Sequence, residues 1–338
     1  MSDEPIALGI ETSCDETAVA IVDGDDRVRV NLVYSQATLH ALYGGVVPEI
    51  ASRDHLRKLP QLLAEAFAQS GVSKRDLGVI SCTYGPGLLG PLLVGMSFGK
   101  GLAYGLDVPF VGVNHLEGHL FAHRLDAPQA GPPFMALIVS GGHTCLVRVN
   151  DYGEYRLVGS TVDDAAGEAL DKVGKLLGIA YPAGAKLEAL AQTGDPKAIR
   201  FPRPMRGAPG FDFSFAGLKT SVSVYLGKQP DANPEDVAAS FLASVVDVLA
   251  EKSVEATRRH RLERLVVVGG VAACQALRAR LAADGKRHGL DVRFPSVGLC
   301  TDNAAMIAAA GGYRFRVLGE RHALSLGPDP KLSFAEVG

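Results

Sequence analysis

Residues 8–23 read LGIETSCDETAVAIVD, and residues 136–150 read ALIVSGGHTCLVRVN. The two stretches can be laid over each other, because in each an apolar strand enters a turn of small residues and a second apolar strand leaves it. A third short strand pattern follows each pair, at residues 28–34 and 154–160. Each copy therefore predicts a three-stranded antiparallel meander.

Alternating helix and strand patterns follow both meanders. After the first, we expect helices at about 48–70, 88–106 and 114–125, with strands at 77–83 and 110–113. After the second, we expect helices at about 164–177, 184–193, 215–226, 234–260, 272–285 and 302–318, with strands at 265–268 and 292–294.

This internal duplication of β-β-β-α-β-α units is typical of the actin-like fold of acetate and sugar kinases, Hsp70 and actin (ASKHA). The α/β chain is therefore predicted to form two lobes around a nucleotide cleft. The first lobe spans 1–125, with a C-terminal helix at 302–331 packing back on it, and the second spans 133–300. The alternative is that two meanders coincide by chance in a mixed α/β protein.

Composition sets the class of protein. Lys and Arg number 34 against 37 Asp and Glu, a net charge of −3, with 47% apolar residues. These values exclude a mainly disordered chain and a polybasic mode of nucleic-acid binding, although local basic patches remain open. Five cysteines, an odd number without a CxxC pair, argue against a disulfide framework and indicate a cytoplasmic protein.

Membrane targeting is not expected. The sequence begins Met-Ser-Asp-Glu-Pro, which is acidic where a signal peptide carries positive charge. Residues 77–99 are uncharged and long enough to span a bilayer, but Pro86, Pro91 and the interior glycines favour a strand, a loop and a helix.

The two strand-connecting turns are candidate anion sites. Ser140-Gly141-Gly142 follows a strand directly, and adjacent glycines let backbone N–H groups approach a phosphate. A plain hairpin turn explains the same letters. The matching turn begins with Glu11, whose carboxylate could meet a metal-linked phosphate or an attacking group. Glu11 is therefore the candidate proton acceptor or partner of a metal-bound water.

A histidine pair is the candidate metal site. His115 and His119 are four residues apart on a predicted helix, so their imidazoles lie on one face and can share a cation. Asp302 would complete a two-histidine, one-carboxylate set suited to iron or zinc, although a helix N-cap explains it equally. The zincin motif H-E-x-x-H does not match, because Glu117 stands one position too late.

Further segments carry weaker signals. Asp171 and the break before Gly184 are placed to meet a nucleoside, and Gly269-Gly270 lies where a strand passes into a helix. Arg200, Arg203 and Arg206 lie in a Pro- and Gly-rich loop whose phenylalanines look exposed. Arginine beside aromatic rings can hold RNA backbone and bases, although a solvated surface is the simpler interpretation.

Eight motifs in order resemble the tRNA N6-adenosine threonylcarbamoyltransferase family, the bacterial TsaD group, formerly called O-sialoglycoprotein endopeptidases. They cover residues 6–331 and read GIETSCDETAVAIV, PEIASRDHL, NHLEGHLFAH, LIVSGGHT, DDAAGEALDKVGKLLG, FPRPM, FSFAGLKT and CTDNAAMIA. The resemblance implies transfer of a threonylcarbamoyl group from threonylcarbamoyl-AMP to N6 of adenosine 37. The tRNAs concerned read codons that start with A, and AMP is released.

The resemblance also implies the site residues. His115, His119 and Asp302 would hold one divalent metal, Fe(2+) first, with Zn(2+) or Mg(2+) as alternatives. The phosphate and carbamoyl region would be lined by Ile138, Val139, Ser140, Gly141 and Gly142. Asp171, Gly184 and Glu188 would meet the ribose. The family usually has Asn where this chain has Cys274, a weak donor and acceptor, so the nucleotide contact there is in doubt.

The family further implies partners: tRNA, a TsaB-like paralogue, a TsaE-like ATPase and a separate enzyme that makes the adenylate. We therefore expect the chain alone to turn over poorly. Two other classes stay open, a sugar or acetate kinase of the same fold, which has no use for the histidine pair, and a non-catalytic scaffold.

Overall fold

The structure, a computed structural model, describes residues 5–24 and 26–334. By its contacts the chain divides into two units: unit 1 is Met1–Ala130 with Asp302–Gly338, and unit 2 is Gly131–Thr301. The first four residues, on which the signal-peptide expectation partly rests, lie outside the described residues. Among the described residues, no helix combines the length and the apolar character needed to span a bilayer.

The amino-terminal part of unit 1 alternates strands and helices. Its elements are β1 (Ile6–Glu11), β2 (Glu16–Val22), β3 (Val28–Ser35), α1 (Ala37–Ala41), α2 (Pro48–Ser70), β4 (Leu77–Gly85), α3 (Leu89–Leu106), β5 (Phe110–Asn114) and α4 (His115–Asp126). Only the short helix α1 was not predicted. The uncharged segment 77–99 forms β4 and the start of α3.

The five strands of unit 1 form one sheet in the order β3-β2-β1-β4-β5. The meander β1-β2-β3 is antiparallel, and β4 and β5 join it parallel to β1. Strand β1 is central and buried, and its apolar residues pack against those of β4, α2 and α3 to form the hydrophobic core. Glu11 ends this central strand.

Unit 2 repeats the same element pattern. Its elements are β6 (Phe134–Val139), β7 (Thr144–Asp151), β8 (Glu154–Ser160), α5 (Ala166–Leu176), α6 (Gly184–Ala191), α7 (Ala216–Lys228), α8 (Pro234–Arg259), β9 (Arg264–Val268), α9 (Gln275–His288), β10 (Asp291–Arg293) and α10 (Val297–Cys300). The helix predicted at 272–285 begins only at Gln275, because Gly270–Ala273 form a 3-10 turn before it.

The sheet of unit 2 runs β10-β9-β6-β7-β8. With β6 in the place of β1, this is the order of the first sheet, and its strands are antiparallel and parallel at the same positions. The predicted duplication is therefore confirmed. The buried helix α8 crosses the core of unit 2 against this sheet.

The last helix, α11 (Ala304–Arg316), returns to unit 1 and lies on its sheet. The approach is close: a Cβ on Gly9 of β1 would lie 2.3 Å from the Ala304 carbonyl oxygen. A helix extending over 302–331 was predicted, and this is wrong. The helix ends at Arg316, and Gly319 soon afterwards takes a left-handed conformation with φ of 71°.

Candidate functional site

The histidine pair lies on the first two turns of α4. Asn114 caps this helix, since its side-chain oxygen accepts from the Leu116 N–H at 2.9 Å. The cap fixes the helix start at His115, and His119 follows one turn later on the same face. The centroids of the two imidazole rings lie 4.8 Å apart.

Asp302 lies immediately before α11 and faces this pair. Its Oδ1 lies 3.2 Å from His119 Nε2 and 3.5 Å from His115 Nε2. The N-cap role considered for Asp302 belongs to Asn303, whose side chain accepts from the Met306 N–H at 3.1 Å. The Asp302 carboxylate is therefore left to face the imidazoles.

The donor set meets the requirements of a divalent cation. One ligand atom from each of His115, His119 and Asp302 can be chosen so that all lie within 4.8 Å of one another. The His119 ring is wholly buried, and neither of its nitrogens makes a hydrogen bond to any described residue. A buried imidazole without hydrogen bonds is costly, and coordination to a metal ion would satisfy it.

Glu11 lies behind His115. Its Oε2 is 3.0 Å from His115 Nδ1 and accepts from the Thr83 hydroxyl at 2.6 Å, while Oε1 accepts from the Ser13 N–H at 2.5 Å. The side chain is wholly buried. A carboxylate on Nδ1 fixes the imidazole so that Nε2 points toward Asp302.

The charges of this network shift the pKa values of His115 and Glu11. Burial lowers the pKa of His115, but the Asp302 and Glu11 carboxylates outweigh it and raise that pKa to about 9. Burial raises the pKa of Glu11, and His115 outweighs it, so the pKa lies below its ordinary value. At neutral pH the two groups are an ion pair, and a cation at Nε2 would displace one imidazole proton.

The remaining polar residues of α4 have structural partners. Glu117 is buried and receives two hydrogen bonds from Arg314 Nη1 of α11, at 2.8 and 2.9 Å. His123 Nε2 lies 3.1 Å from the Ala130 carbonyl oxygen. Glu117 therefore joins α4, which carries the histidines, to α11, which Asp302 directly precedes. This structural role agrees with the mismatch to the zincin motif.

In unit 2, the Ser140-Gly141-Gly142 turn is tight. The Ser140 N–H donates to the His143 carbonyl at 2.8 Å, so this amide is not available to a phosphate as the sequence suggested. Gly141 and Gly142 are exposed, and their amides make no hydrogen bond to any described residue. Two free N–H groups remain at the turn.

The start of α5 lies against this turn. The Gly167 N–H donates to the Ser140 carbonyl at 3.2 Å, and a Cβ on Gly167 would lie 2.5 Å from that oxygen. Only glycine permits this approach. The positive end of the α5 dipole is thereby brought to the two free amides, an arrangement suited to an anion.

A second glycine turn adjoins the first. Gly269 follows β9, has φ of 95°, and lies so close to Val139 that a Cβ would be 2.4 Å from its carbonyl oxygen. The side chains of Ile138 and Val139 are wholly buried within the sheet. Their contribution to the turn is therefore through the backbone, at the carboxyl ends of two parallel strands.

The ribose-side candidates of unit 2 have partners within the unit. Asp171 accepts from the Ala183 N–H at 2.7 Å, which ties α5 to the start of α6 at Gly184. Glu188 accepts from Cys274 Sγ at 3.2 Å and from the Ala276 N–H at 3.0 Å. Burial first, and then Glu188, raise the pKa of the Cys274 thiol to about 12, so it stays protonated and donates.

The arginine loop differs from the prediction. Phe201, Phe213 and Phe215 are buried in the core of unit 2 rather than exposed, because this irregular segment covers α7 and α8. Stacking of RNA bases on these rings is therefore excluded in this structure. Arg203 and Arg206 are paired with carboxylates of α8, namely Asp247 and Glu251.

Sequence reasoning missed Thr83, Ser13 and the Glu117–Arg314 pair. Thr83 lies on β4, one residue beyond Cys82, which pairs with Ile10 of β1, and this register places its hydroxyl against Glu11. The only sequence signal was that Thr83 ends a predicted strand and that Glu11 directly follows another. For Arg314, its position inside an otherwise apolar and small-residue helix was a usable sign of a buried ion pair.

Comparison with solved structures supports the fold. HypF of T. kodakarensis superposes with a TM-score of 0.63 at 15% identity, and the match covers 93% of this chain and 47% of HypF. Component A of the Acidaminococcus fermentans (R)-2-hydroxyglutaryl-CoA dehydratase gives 0.55 at 13% identity, covering 94% of this chain and all of the other. At these identities the likeness concerns the fold alone.

Sequence comparison identifies the family as well as the fold. The family model described as tRNA N6-adenosine threonylcarbamoyltransferase matches residues 27–309. The enzyme of that name from Thermotoga neapolitana is 51% identical over 96% of this chain and 99% of its own length. That from Clostridium perfringens is 45% identical over 99% of both chains. The chain therefore belongs to the tRNA N6-adenosine threonylcarbamoyltransferase family.

Proposed function

We propose that this enzyme transfers the threonylcarbamoyl group from threonylcarbamoyl-AMP to N6 of adenosine 37 in tRNAs that read codons starting with A. The observation that carries the proposal is the cluster of His115, His119 and Asp302 in a chain of this family. A sugar or acetate kinase of similar fold would have no use for three buried or half-buried ligands at one point.

The reaction is an acyl-type transfer to an amine. The N6 amine attacks the carbamoyl carbon, a C–N bond forms, and the C–O bond to the phosphate breaks, so that AMP leaves and N6 loses one proton. The donor is an activated mixed anhydride with a good leaving group. The protein therefore contributes mainly positioning and stabilisation of charge.

His115, His119 and Asp302 would hold one divalent cation. When bound, the cation supplies Lewis-acid polarisation of the carbamoyl carbonyl and orients the threonyl end. We propose Fe(2+), with Zn(2+) as the alternative. Mg(2+) is the least suited, because two of the three ligands are imidazoles.

The phosphate of the donor is proposed to bind in unit 2. The amides of Gly141 and Gly142, with the start of α5, would receive the charge that grows on AMP as it leaves. Asp171 and Gly184 would meet the ribose. Glu188 Oε1 accepts hydrogen bonds from Cys274 and from the Ala276 N–H. We therefore propose that the other oxygen, Glu188 Oε2, contacts the nucleoside.

Glu11 was expected to accept a proton or to bind a metal-bound water. Its burial and its bonds to His115, Thr83 and Ser13 instead favour a positioning role. We propose that Glu11 keeps the proton of His115 on Nδ1 and leaves Nε2 for the cation.

The Glu11→Gln variant is expected to bind the metal about 10- to 100-fold more weakly, because the carboxylate that orients His115 is lost. Titration of metal-free protein with Fe(2+) or Zn(2+) measures this. The matched control is His123→Ala, which removes a buried histidine of the same helix that bonds Ala130 instead. Unchanged affinity in Glu11→Gln, or an equal loss in the control, would contradict the positioning role.

Partners are part of the proposal. A near-neutral chain supplies modest affinity for tRNA by itself, and members of this family are expected to act with a TsaB-like paralogue and a TsaE-like ATPase. A separate enzyme would supply the adenylate. We expect single or slow turnover from the isolated chain, and a cytoplasmic location.

The test combines the chain and these partners with labelled threonine, bicarbonate, ATP and unmodified tRNA. Nucleoside digestion and mass spectrometry should find the label on N6 of adenosine. Phosphorylation of a small hydroxyl compound without tRNA would support the kinase alternative. Absence of transfer with every partner present would support a scaffold.

A further inference from the structure

Unit 2 carries a basic pocket that the proposed reaction does not use. It is a cavity of about 690 Å³ formed by the segment 196–206 against α8. Its lining includes four cations, Lys197, Arg200, Arg203 and Arg206, and one carboxylate, Asp247. The lining is therefore strongly positive on a chain whose net charge is −3.

Two of the four cations, Arg203 and Arg206, are paired with carboxylates of α8 in the pocket wall. Arg203 donates to Asp247 Oδ2 through Nε and Nη2, at 3.1 and 2.9 Å, and to the Phe201 carbonyl through Nη1. Arg206 contacts Glu251 through Nη2 alone, and more than half of its side chain is exposed. Arg203 is thus fully engaged, whereas Arg206 retains donors that face solvent.

Lys197 and Arg200 are different. Both are exposed, and neither has a carboxylate oxygen within 4 Å of its charged nitrogens among the described residues. No carboxylate of the described residues therefore neutralises their charges. An anionic ligand would face no carboxylate competing directly for either side chain.

The segment that carries them is held in place. The Asp195 N–H donates to Asp236 Oδ1 at 2.7 Å, and the Ile199 N–H donates to Ser240 Oγ at 3.1 Å. Phe201 is buried, with its ring 5.7 Å from that of Tyr225. Little backbone entropy would be lost when a ligand binds, because the segment is already ordered by α7 and α8.

The chemistry of the pocket favours phosphates over bases. Of the phenylalanines in this part of the chain, Phe201, Phe213 and Phe215 are buried, and the half-buried Phe211 does not line the pocket, so these rings give bases no platform in it. Guanidinium and ammonium groups without such a platform contact the sugar–phosphate backbone and carry no sequence information.

We infer that the basic pocket binds phosphate groups of the RNA substrate through Lys197, Arg200 and the exposed side of Arg206. The inference rests on the proposed function, because it takes tRNA as the substrate. An acidic protein segment is the competing occupant. RNA is favoured because its phosphates recur along the chain and match the two cations without a described carboxylate partner, Lys197 and Arg200, together with the exposed Arg206 in one open pocket.

The test compares the double variant Lys197→Ala/Arg200→Ala with the control Lys286→Ala/Arg287→Ala. The control removes one lysine and one arginine that are exposed on α9 and do not line the pocket. Binding of fluorescently labelled unmodified tRNA is measured over a range of KCl concentrations. We expect the slope of log Kd against log salt to fall by roughly 2 in the pocket variant, about one for each lost cation, and to stay unchanged in the control.

Transfer assays complete the test. The KM for tRNA should rise in the pocket variant, while kcat and metal content stay at the wild-type level. Wild-type tRNA affinity and salt slope in the pocket variant would overturn the inference. So would a loss of poly-glutamate binding without a loss of tRNA binding, which would identify an acidic protein as the occupant.

The inference and the proposed function can fail separately. If the pocket variant loses tRNA binding but the wild-type chain and partners label no adenosine, the pocket stands and the proposed function fails. If the wild type labels adenosine and the pocket variant does so with an unchanged KM, the function stands and the pocket assignment fails.

Discussion

The His119→Ala variant is expected to lose the proposed metal ion and at least about 100-fold of its transfer activity, because the imidazole is one of the three ligands proposed among the described residues. The ring makes no hydrogen bond to a described residue, and Asp302 Oδ1, which lies 3.2 Å from its Nε2, keeps His115 Nε2 at 3.5 Å when the ring is removed. The fold should therefore survive. Metal analysis of the purified protein and labelled-threonine transfer to tRNA measure the two effects.

His123→Ala is again the matched control, since it lies one turn further along α4 and bonds a backbone carbonyl. It should keep both metal and activity. Full transfer by a His119→Ala variant that holds no metal would refute the role of the metal in the reaction. Full transfer by a variant that still holds the metal would refute His119 as a required ligand.

The second large effect concerns stability. Removing Arg314 leaves the Glu117 carboxylate buried without its partner, so we expect Arg314→Met to lower the free energy of unfolding by about 3–5 kcal/mol. The double variant Glu117→Leu/Arg314→Met should recover most of this loss. The reason is that both buried charges are gone, and Glu320, the other partner of Arg314, is partly exposed to water.

Denaturant unfolding of the wild type, the single variant and the double variant gives these values. An Arg314→Met variant within 1 kcal/mol of the wild type would show that the pair contributes little. The same series tests the old peptidase label, because a catalytic role for Glu117 predicts loss of activity in the double variant even where stability is restored.

Local patterns predicted the fold well. The duplicated meanders and the helix that begins near His115 follow from periodicity and turn residues, which act over a few positions. The ends of elements were less accurate, as at Arg316 and Gln275, because the final turns depend on tertiary contacts as much as on propensity.

The candidate site was predictable only in part. The spacing of His115 and His119 identifies a shared helix face, but it does not show that Asp302 lies against that face. Asp302 and Asn303 are equally good helix N-caps by sequence, so the sequence does not show which of them is free to face the histidines. The contact between Glu11 and Thr83 depends on the register of two parallel strands. The loop phenylalanines are buried because they pack against α7 and α8. The irregular sequence of the loop has no periodicity from which this packing could be predicted.

The division of unit 1 by the whole of unit 2 bears on how the protein is made. The histidines leave the ribosome early, whereas Asp302 and the helix that covers the sheet follow only after residues 131–301 have been synthesised. The complete set of proposed ligands therefore exists only when translation is nearly finished. A chain that ends within unit 2 would carry His115 and His119 without Asp302.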